Sequence, residues 1–264
     1  MSHIHPTAIV HPDATLGSGV TIGPYAVVEG PAVIGDGCAI QAHAVITGHV
    51  VMGHGNTIGY GAVIGADPQD HAFDPCTESR VILGDENRIR EYATIHRGTA
   101  PGSATRVGNR CFLMAGSHLG HNVTLADRVI IANNSLLGGH VEVESDVFIG
   151  GGSVFHQFVK IGRNAIIQGL SAMSKQVPPF LIGCECNHVA GINVVGLRRS
   201  GMSAEERREV KEAFLLLYRS GLNTTQALAA AKERTWGAAG TAFFEFVANA
   251  GRRGICSLSE RAAG

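Results

Sequence analysis

Aromatic and charged residues are both scarce in this chain of 264 residues. Only 6% of the residues are aromatic and 16% are charged, whereas 45% are hydrophobic. Any core must therefore consist mainly of aliphatic side chains. The formal net charge is -1 and no Lys/Arg run is longer than a pair, which argues against a protein that binds nucleic acid by neutralising phosphates.

Three further features are missing from the sequence. The six cysteines form no C-x-x-C pair. No stretch approaches the ~18 uninterrupted apolar residues of a membrane span, so no membrane insertion is expected. The first residues lack the basic and apolar regions of a signal peptide. Together these absences predict a cytoplasmic protein with reduced thiols.

A period of six residues dominates the first 175 positions. It fits neither the 3.6-residue repeat of a helix nor the alternation of a hairpin strand, but it is typical of a hexapeptide-repeat solenoid, in which three short strands close one triangular coil. The sequence therefore predicts an all-β solenoid, a parallel β-helix, over residues 1–190. The repeating apolar positions are Leu16, Ile22, Val28, Ile34, Ile40, Ile46, Met52, Ile58, Ile64, Leu83, Ile89, Ile95, Val107, Leu113, Leu119, Leu125, Ile131, Leu137, Val143, Ile149, Phe155, Ile161, Ile167 and Met173.

Two segments interrupt this repeat, and a third ends it. Pro, Asp and charged residues between positions 65 and 82 predict a protruding loop, and Gly, Pro and Ser between 96 and 106 predict a second irregular turn. Pro178 and Pro179 predict the end of the ladder, because proline has no N–H to donate. Beyond them, helical patterns over 204–220, 224–233 and 238–250 predict an α-helical cap domain over residues 191–264.

Residues 18 apart in such a solenoid lie one above the other, separated by roughly 4.7–4.9 Å. His121, Gly139 and Gln157 have this spacing, His140 follows Gly139, and His118 precedes His121 by three positions. We therefore expect two or more histidines, an amide and a glycine N–H in one patch. A purely structural interpretation is that corners of solenoids favour His, Asn and Gly in general.

These groups suit one kind of chemistry. An imidazole that titrates near pH 6.5 can take a proton from a hydroxyl and return it to a leaving group, while an oriented N–H stabilises an oxyanion. Ser117 and Ser153 lack the sequence of a nucleophile elbow. The residues therefore indicate direct transfer of an activated group to a hydroxyl or an amine.

The chain also resembles a known family, the UDP-N-acetylglucosamine 3-O-acyltransferases that begin lipid A biosynthesis, over nearly its whole length. The resemblance is carried by Pro68-Gln69-Asp70, Asn87-Arg88-Ile89-Arg90-Glu91, Thr94-Ile95-His96-Arg97-Gly98, His118-Leu119-Gly120-His121, Ile131-Ala132-Asn133-Asn134, Gly139-His140-Val141, His156-Gln157-Phe158, Val177-Pro178-Pro179 and Gly196-Leu197-Arg198-Arg199.

The resemblance implies a left-handed parallel β-helix, a homotrimer with sites between subunits, and acyl carrier protein as the donor of a 3-hydroxyacyl chain. It implies that His121 is the general base and that the Gly139 N–H faces the thioester oxygen, with no cofactor and no metal. Gly169 matches a position that limits acyl length, where glycine leaves room for a longer chain. The implied substrate-binding residues are Asp70, His118, His140, Gln157, Asn187, His188 and Arg199.

The chain departs from the family pattern at three positions. Ala72 replaces a lysine near the sugar phosphate, Val195 stands where some members have an acidic residue, and Asn122 replaces a common aspartate beside His121. Basic residues near the start of the cap are expected either to meet the acidic carrier protein or the pyrophosphate, or to form a solvated helix face. They are Arg198, Arg199, Arg207, Arg208 and Lys211.

Three other functions fit parts of the sequence. A related acyltransferase would act on a different nucleotide sugar, such as a 3-amino analogue, and a non-catalytic relative would only bind one. The third is a trimeric zinc carbonic anhydrase, with His118, His121 and His140 as ligands. In that case, however, the other family motifs would have no explanation.

Overall fold

The computed structural model describes residues 2–259, and it stacks short strands into three sheets. The first sheet contains β1 (His3–Ile4), β4 (Thr21–Ile22), β7 (Ala39–Ile40), β10 (Thr57–Ile58), β13 (Arg88–Ile89), β16 (Phe112–Leu113), β19 (Ile130–Ile131), β22 (Phe148–Ile149), β25 (Ile166–Ile167), β27 (Leu181–Cys184), β28 (His188–Ile192) and β29 (Ser257–Leu258). The second sheet contains β2 (Ile9–Val10), β5 (Val27–Val28), β8 (Val45–Ile46), β11 (Val63–Ala66), β14 (Thr94–His96), β17 (His118–Leu119), β20 (Leu136–Leu137), β23 (Val154–Phe155) and β26 (Ala172–Met173). The third sheet contains β3 (Thr15–Leu16), β6 (Val33–Ile34), β9 (Val50–Met52), β12 (Arg80–Leu83), β15 (Ala104–Val107), β18 (Thr124–Leu125), β21 (Glu142–Val143) and β24 (Lys160–Ile161).

Each coil of the chain adds one strand to every sheet, and β1 to β26 pair in parallel with the strands one coil away. Thr21 pairs with Ala39, and Ala39 pairs with Thr57, so one coil takes 18 residues. The second residue of most strands points inward, and the ladder positions Ile22 and Ile58, like most of their equivalents, are at most a few per cent exposed. Stacked aliphatic side chains thus fill the prism, which explains why few aromatic residues are needed.

The corners between the sheets form three edges of the prism. We call the corner between the first and second sheets the first edge, that between the second and third sheets the second edge, and that between the third and first sheets the third edge. Both interrupted coils open at the second edge, between β11 and β12 (residues 67–79) and between β14 and β15 (residues 97–103). Each loop is shorter than predicted, because Arg80–Leu83 and Ala104–Val107 form longer strands that pair with each other.

The upper end of the prism differs from the prediction. The first sheet continues beyond Pro178 and Pro179, since β27 pairs with β25 and then turns back as the antiparallel strand β28. The prolines precede β27 and therefore remove no donor from it. The expected boundary between the β-helix and the cap, at residue 190, falls inside β28.

In the part of the chain up to Ser259, four α-helices follow the hairpin: α1 (Val194–Arg199), α2 (Ala204–Tyr218), α3 (Thr224–Lys232) and α4 (Ala238–Ala248). The last three lie where the sequence predicts them, within two residues at their ends, and Ser203 caps α2 with a capping box. The short helix α1 was not predicted. The last five residues of the predicted cap, 260–264, lie outside the described residues.

Candidate active site

Three of the predicted site residues lie on consecutive coils of the second edge. His121 follows β17, Gly139 follows β20 and Gln157 follows β23, and these three strands are neighbours in the second sheet. Backbone hydrogen bonds connect the coils at this level, from His140 N to His121 O (2.9 Å) and from Phe158 N to Gly139 O (3.0 Å). An imidazole, a glycine and a carboxamide are therefore aligned along one edge.

Gly139 is packed directly against the imidazole of His121. A Cβ atom on Gly139 would overlap the ring atoms Cε1 and Nε2 of His121, so only glycine leaves the ring in this position. Among residues 2–259, no hydrogen-bond acceptor is assigned to the Gly139 N–H. An unoccupied donor thus lies beside the ring nitrogen that would act as a base.

Asn122 determines which nitrogen of His121 carries the proton. His121 Nδ1 lies 3.0 Å from Asn122 Oδ1, and the same Oδ1 accepts a hydrogen bond from the backbone N–H of Thr99 (3.1 Å). Because a backbone N–H can only donate, this side-chain atom is the amide oxygen, and Nδ1 of His121 must donate to it. The lone pair of the neutral imidazole is therefore on Nε2, next to Gly139.

The second loop supports this arrangement. Thr99, in the loop of residues 97–103, donates to Asn122 from both its backbone and its hydroxyl, and Asn122 N donates to Thr105 Oγ1 (2.8 Å). The sequence identified Asn122 only as a replacement of a common aspartate beside His121, and it did not identify Thr99 or Thr105 as parts of the site. The His121-Asn122 pair was the one available signal, since the loop contact depends on the tertiary structure.

Replacing Asn122 with alanine should lower kcat at least about tenfold, because the imidazole loses the acceptor that fixes its tautomer. Asn122→Asp should keep the acceptor and add a negative charge that stabilises the imidazolium, so the acidic limb of its pH–rate profile should move to higher pH. Steady-state kinetics across pH for the two variants would measure both effects. An Asn122→Ala enzyme with the wild-type kcat would contradict this role.

One aromatic ring, that of His140, packs directly on His121, and further ring contacts lie beside it. His140 packs edge-to-face on His121 (ring centroids 5.1 Å apart) and stacks on Phe158 (4.6 Å). His118 Nδ1 lies 2.8 Å from Thr94 Oγ1, and its ring meets that of His96 edge-on. Burial lowers the pKa of His118, and burial followed by the charge on His121 lowers the pKa of His140. Phe158 and His96 belong to motifs of the family resemblance, but the sequence had not predicted them as site residues.

We expect the buried His96 to make the stability of this region depend on pH. Burial first, and then the charges on His118 and His121, lower the pKa of His96 to about 4 from 6.5. An unfolded chain binds this proton as the pH falls below 6.5 whereas the folded chain does not, so the free energy of unfolding should fall by about 3 kcal/mol between pH 6.5 and 4. Denaturant unfolding should show this fall for the wild type and a smaller one for His96→Phe. Equal slopes for the two proteins would rule the contribution out.

Asp70 lies in the first loop, which a buried arginine holds in place. The Arg97 side chain is 1% exposed and binds Asp67 (Nε–Oδ1 2.8 Å), the Pro75 carbonyl oxygen (2.7 Å) and the face of Phe73. Asp70 itself is exposed, and its Oδ1 accepts a hydrogen bond from Ala72 N. The loop is thus anchored at the second edge, below His121.

Of the remaining predicted residues, Asn187 lies at the upper end of the second edge, whereas Gly169 and Arg199 lie elsewhere in the protomer. Gly169 is on the first edge, between β25 and β26, and Arg199 is the last residue of α1, whose cap Asn193 donates to Asn164 O on the third edge. Asn187 binds the backbone of Ser174 and Lys175 through its side chain, and His188 begins β28. One protomer therefore does not bring Gly169 or Arg199 to His121.

Within residues 2–259, no group of three or more His, Cys, Asp or Glu side chains is arranged to hold a metal ion. In the same part of the chain, no helix has both the length and the apolar character needed to cross a bilayer.

The fold and the site together define a hexapeptide-repeat transferase. Residues 104–139 match the family model described as bacterial transferase hexapeptide (six repeats), and residues 176–256 match the second domain of UDP-N-acetylglucosamine O-acyltransferase. The second match begins at the top of the β-helix and includes the hairpin, all four helices and part of the C-terminal tail.

Similar proteins with curated names indicate which family within this class the chain resembles. The acyl-[acyl-carrier-protein]–UDP-N-acetylglucosamine O-acyltransferase of Paracidovorax citrulli is 52% identical over 88% of this chain and 89% of its own length. The enzyme of the same name from Myxococcus xanthus is 44% identical over 86% and 89%. The one from Synechocystis is 45% identical, but that match covers 64% of this chain and 61% of the relative.

Solved structures agree with these relatives. The UDP-N-acetylglucosamine acyltransferase of Francisella novicida has a TM-score of 0.92 at 34% identity, covering 99% of this chain and 98% of that one. The Bacteroides fragilis structure has a TM-score of 0.89 at 37% identity, covering 95% and 98%. The chain belongs to the acyl-[acyl-carrier-protein]–UDP-N-acetylglucosamine O-acyltransferase family, and its fold is a left-handed parallel β-helix with an α-helical C-terminal part.

Proposed function

We propose that the protein transfers a 3-hydroxyacyl chain from acyl carrier protein to the 3-hydroxyl of UDP-N-acetylglucosamine, the reaction that begins lipid A biosynthesis. Family membership supports the substrate class. The observation that carries the chemistry is the hydrogen bond from His121 to Asn122, which leaves Nε2 of His121 as an acceptor beside the Gly139 N–H. The cytoplasmic location stays a prediction.

The reaction needs one base and one oxyanion donor. His121 Nε2 removes the proton from the 3-hydroxyl as its oxygen attacks the thioester carbonyl carbon, and the Gly139 N–H stabilises the resulting oxyanion. The carbon–sulfur bond then breaks, and the imidazolium gives its proton to the thiolate of the phosphopantetheine arm. The two substrates and His121 supply every atom and proton of this scheme, which uses no cofactor.

The outer faces of the three sheets differ in a way that favours a trimer. Outward positions of the upper coils are apolar on the first sheet (Phe148, 38% exposed) and on the second (Leu136, 45%; Val154, 42%), and Leu170 on the first edge is 86% exposed. On the third sheet, the outward positions of those coils are Glu142 and Lys160, which form an ion pair. Large exposed apolar patches mark contact surfaces.

A cyclic trimer that covers both apolar faces has one natural geometry. The first sheet of each copy packs on the second sheet of the next, so the first edge, with Leu170, points to the three-fold axis. The second edge of one copy, with His121, then lies beside the third edge of its neighbour, where α1 ends at Arg199. We infer that the site is completed between subunits, which accounts for the distribution of the predicted residues over three edges.

Leu136→Glu should weaken this trimer, because the new carboxylate would be buried without a partner against the first sheet of the next copy. Thr124→Glu is the matched control, since it adds the same charge to the outer face of the third sheet. Light scattering after size-exclusion chromatography should show smaller species for Leu136→Glu only, together with lower activity. A fully trimeric and active Leu136→Glu protein would place the interface elsewhere.

One assay tests the proposed function directly. The purified protein is incubated with UDP-N-acetylglucosamine and a panel of 3-hydroxyacyl carrier proteins of different chain length, and the product is identified by mass. We expect an O-acylated nucleotide sugar, with a longer chain accepted because Gly169 leaves room. The 3-amino analogue of the sugar serves as a comparison, and its exclusive acylation would contradict the assigned acceptor.

A further inference from the structure

The C-terminal tail places an arginine against the second edge, close to the predicted site. Arg253 ends the 3-10 turn Gly251–Arg253 that follows α4. Its guanidinium lies over the ring of Phe158 (5.8 Å to the centroid), and Nη1 lies 3.4 Å from His156 Nδ1 and 3.3 Å from Ser174 O. A residue far along the sequence thus reaches the coil that carries Gln157.

The tail is held firmly at this place. Directly after Arg253, Gln176 N donates to Gly254 O (3.0 Å) and Cys256 N donates to Gln176 O (2.9 Å). The strand that follows, β29, begins at Ser257 and pairs with β28. Because backbone hydrogen bonds fix the residues that follow it, Arg253 is presented at the edge by a rigid segment and not by a loose chain end.

Within residues 2–259, the charge of Arg253 has no carboxylate partner. Several other arginines pair with carboxylates, for example Arg128 with Asp146 (2.7 Å) and Arg234 with Glu212 (2.6 Å). No ion pair with Asp or Glu is formed by Arg253 in residues 2–259, nor by Lys175, which comes one coil above Gln157. Two cations therefore remain at the upper end of the line that begins with His121.

A continuous series of ring contacts connects this cation to the base. The His121 ring touches His140, His140 stacks on Phe158, and the Arg253 guanidinium lies over Phe158. Phe158 lies two coils above His121. At the spacing of neighbouring strands, this is a distance of roughly 10 Å along the edge. A substrate whose reacting atoms meet His121 has its phosphorylated end within reach of this position.

We propose that Arg253 binds a phosphoryl group of a substrate held at the second edge, a role that rests on the proposed function. A guanidinium donates several N–H groups in a plane that matches phosphate oxygens, and Arg253 uses only weak contacts in the protomer. Phosphoryl groups come from two sources in the proposed reaction. They are the diphosphate of the nucleotide sugar and the phosphate of the phosphopantetheine arm of the carrier protein.

The test compares ligands that differ only in phosphate. Titration calorimetry measures Kd for UDP against uridine and for 4′-phosphopantetheine against pantetheine, with the wild type, Arg253→Gln, Arg253→Lys and the neighbouring control Arg252→Gln. We expect Arg253→Gln to weaken the phosphorylated member of one pair about tenfold or more, and Arg253→Lys to restore part of the loss. The affected pair identifies the source of the phosphate.

Two results would overturn the assignment. In one, Arg253→Gln and Arg252→Gln have the same Kd for all four ligands. In the other, Arg253→Gln weakens both members of a pair equally, which is the result of a loosened tail and is accompanied by a lower Tm. Binding is measured without turnover, so a protein that binds UDP through Arg253 but transfers no acyl chain contradicts the proposed function alone. If the enzyme is active but Arg253→Gln binds the four ligands as tightly as the wild type, the result contradicts the role of Arg253 and leaves the proposed function intact.

Discussion

His121→Ala should lower kcat by about 10²- to 10⁴-fold, the range that a positioned general base contributes. The loss should appear in kcat more than in KM, because the imidazole acts on a proton that moves only as the hydroxyl attacks. Steady-state assays with varied UDP-N-acetylglucosamine and varied acyl carrier protein would separate the two parameters.

The fold should tolerate this substitution. His121 follows β17 at a corner, and its side chain fills no part of the aliphatic core. The oligomeric state and the Tm should therefore stay near those of the wild type. His54→Ala, at an exposed corner on the third edge, is a matched control that removes a histidine without touching the second edge. If His121→Ala kept most of its activity, the base would have to be another residue.

Gly139→Ala should lower kcat about 100-fold, although alanine keeps the backbone N–H that the oxyanion would use. The new methyl group overlaps Cε1 and Nε2 of His121 and must push the ring aside. A displacement of about 1 Å at a reacting group is enough for a loss of this size. The measurement is again kcat, with the Tm as a second readout of the steric conflict.

A double-mutant cycle makes this explanation specific. In the His121→Ala background no ring is present, so adding Gly139→Ala should cost almost no further activity and no further stability. Gly151→Ala is the control for a glycine-to-alanine change at a corner, because its Cβ would meet Asn133 O at 3.2 Å and no histidine. If the effects of Gly139→Ala and His121→Ala on stability were additive, the methyl group would destabilise the protein by a contact that does not involve the His121 ring.

The sequence predicted the fold well because one local rule repeats. An inward aliphatic residue every six positions can be satisfied only by stacking coils, and Ile22, Ile58 and Ile131 are all buried in that way. The hairpin of β27 and β28 was not predicted, because Pro178 and Pro179 precede it and look like a stop. Its strands pair only after the chain has turned across the end of the prism.

The candidate site was predicted in part. A fixed coil of 18 residues places His121, Gly139 and Gln157 on one edge, and this alignment follows from their residue numbers alone. The contact from Thr99 to Asn122 could not be predicted from residue numbers, because the conformation of the loop decides which side chains meet. The same holds for Arg97, whose burial under the first loop no local pattern indicates.

By itself, the sequence determined the prism, its three edges and the order of side chains along each edge, because the hexapeptide repeat fixes the position of every sixth residue. Only the tertiary structure decided which nitrogen of His121 is protonated, why position 139 must be glycine, and that Arg253 returns to the second edge. The tautomer and the return of Arg253 depend on contacts between segments whose separation in the chain follows no period. Gly139 lies one coil from His121, but the need for glycine depends on where the imidazole points. Their physical basis is the close packing of side chains, loops and tail against the solenoid.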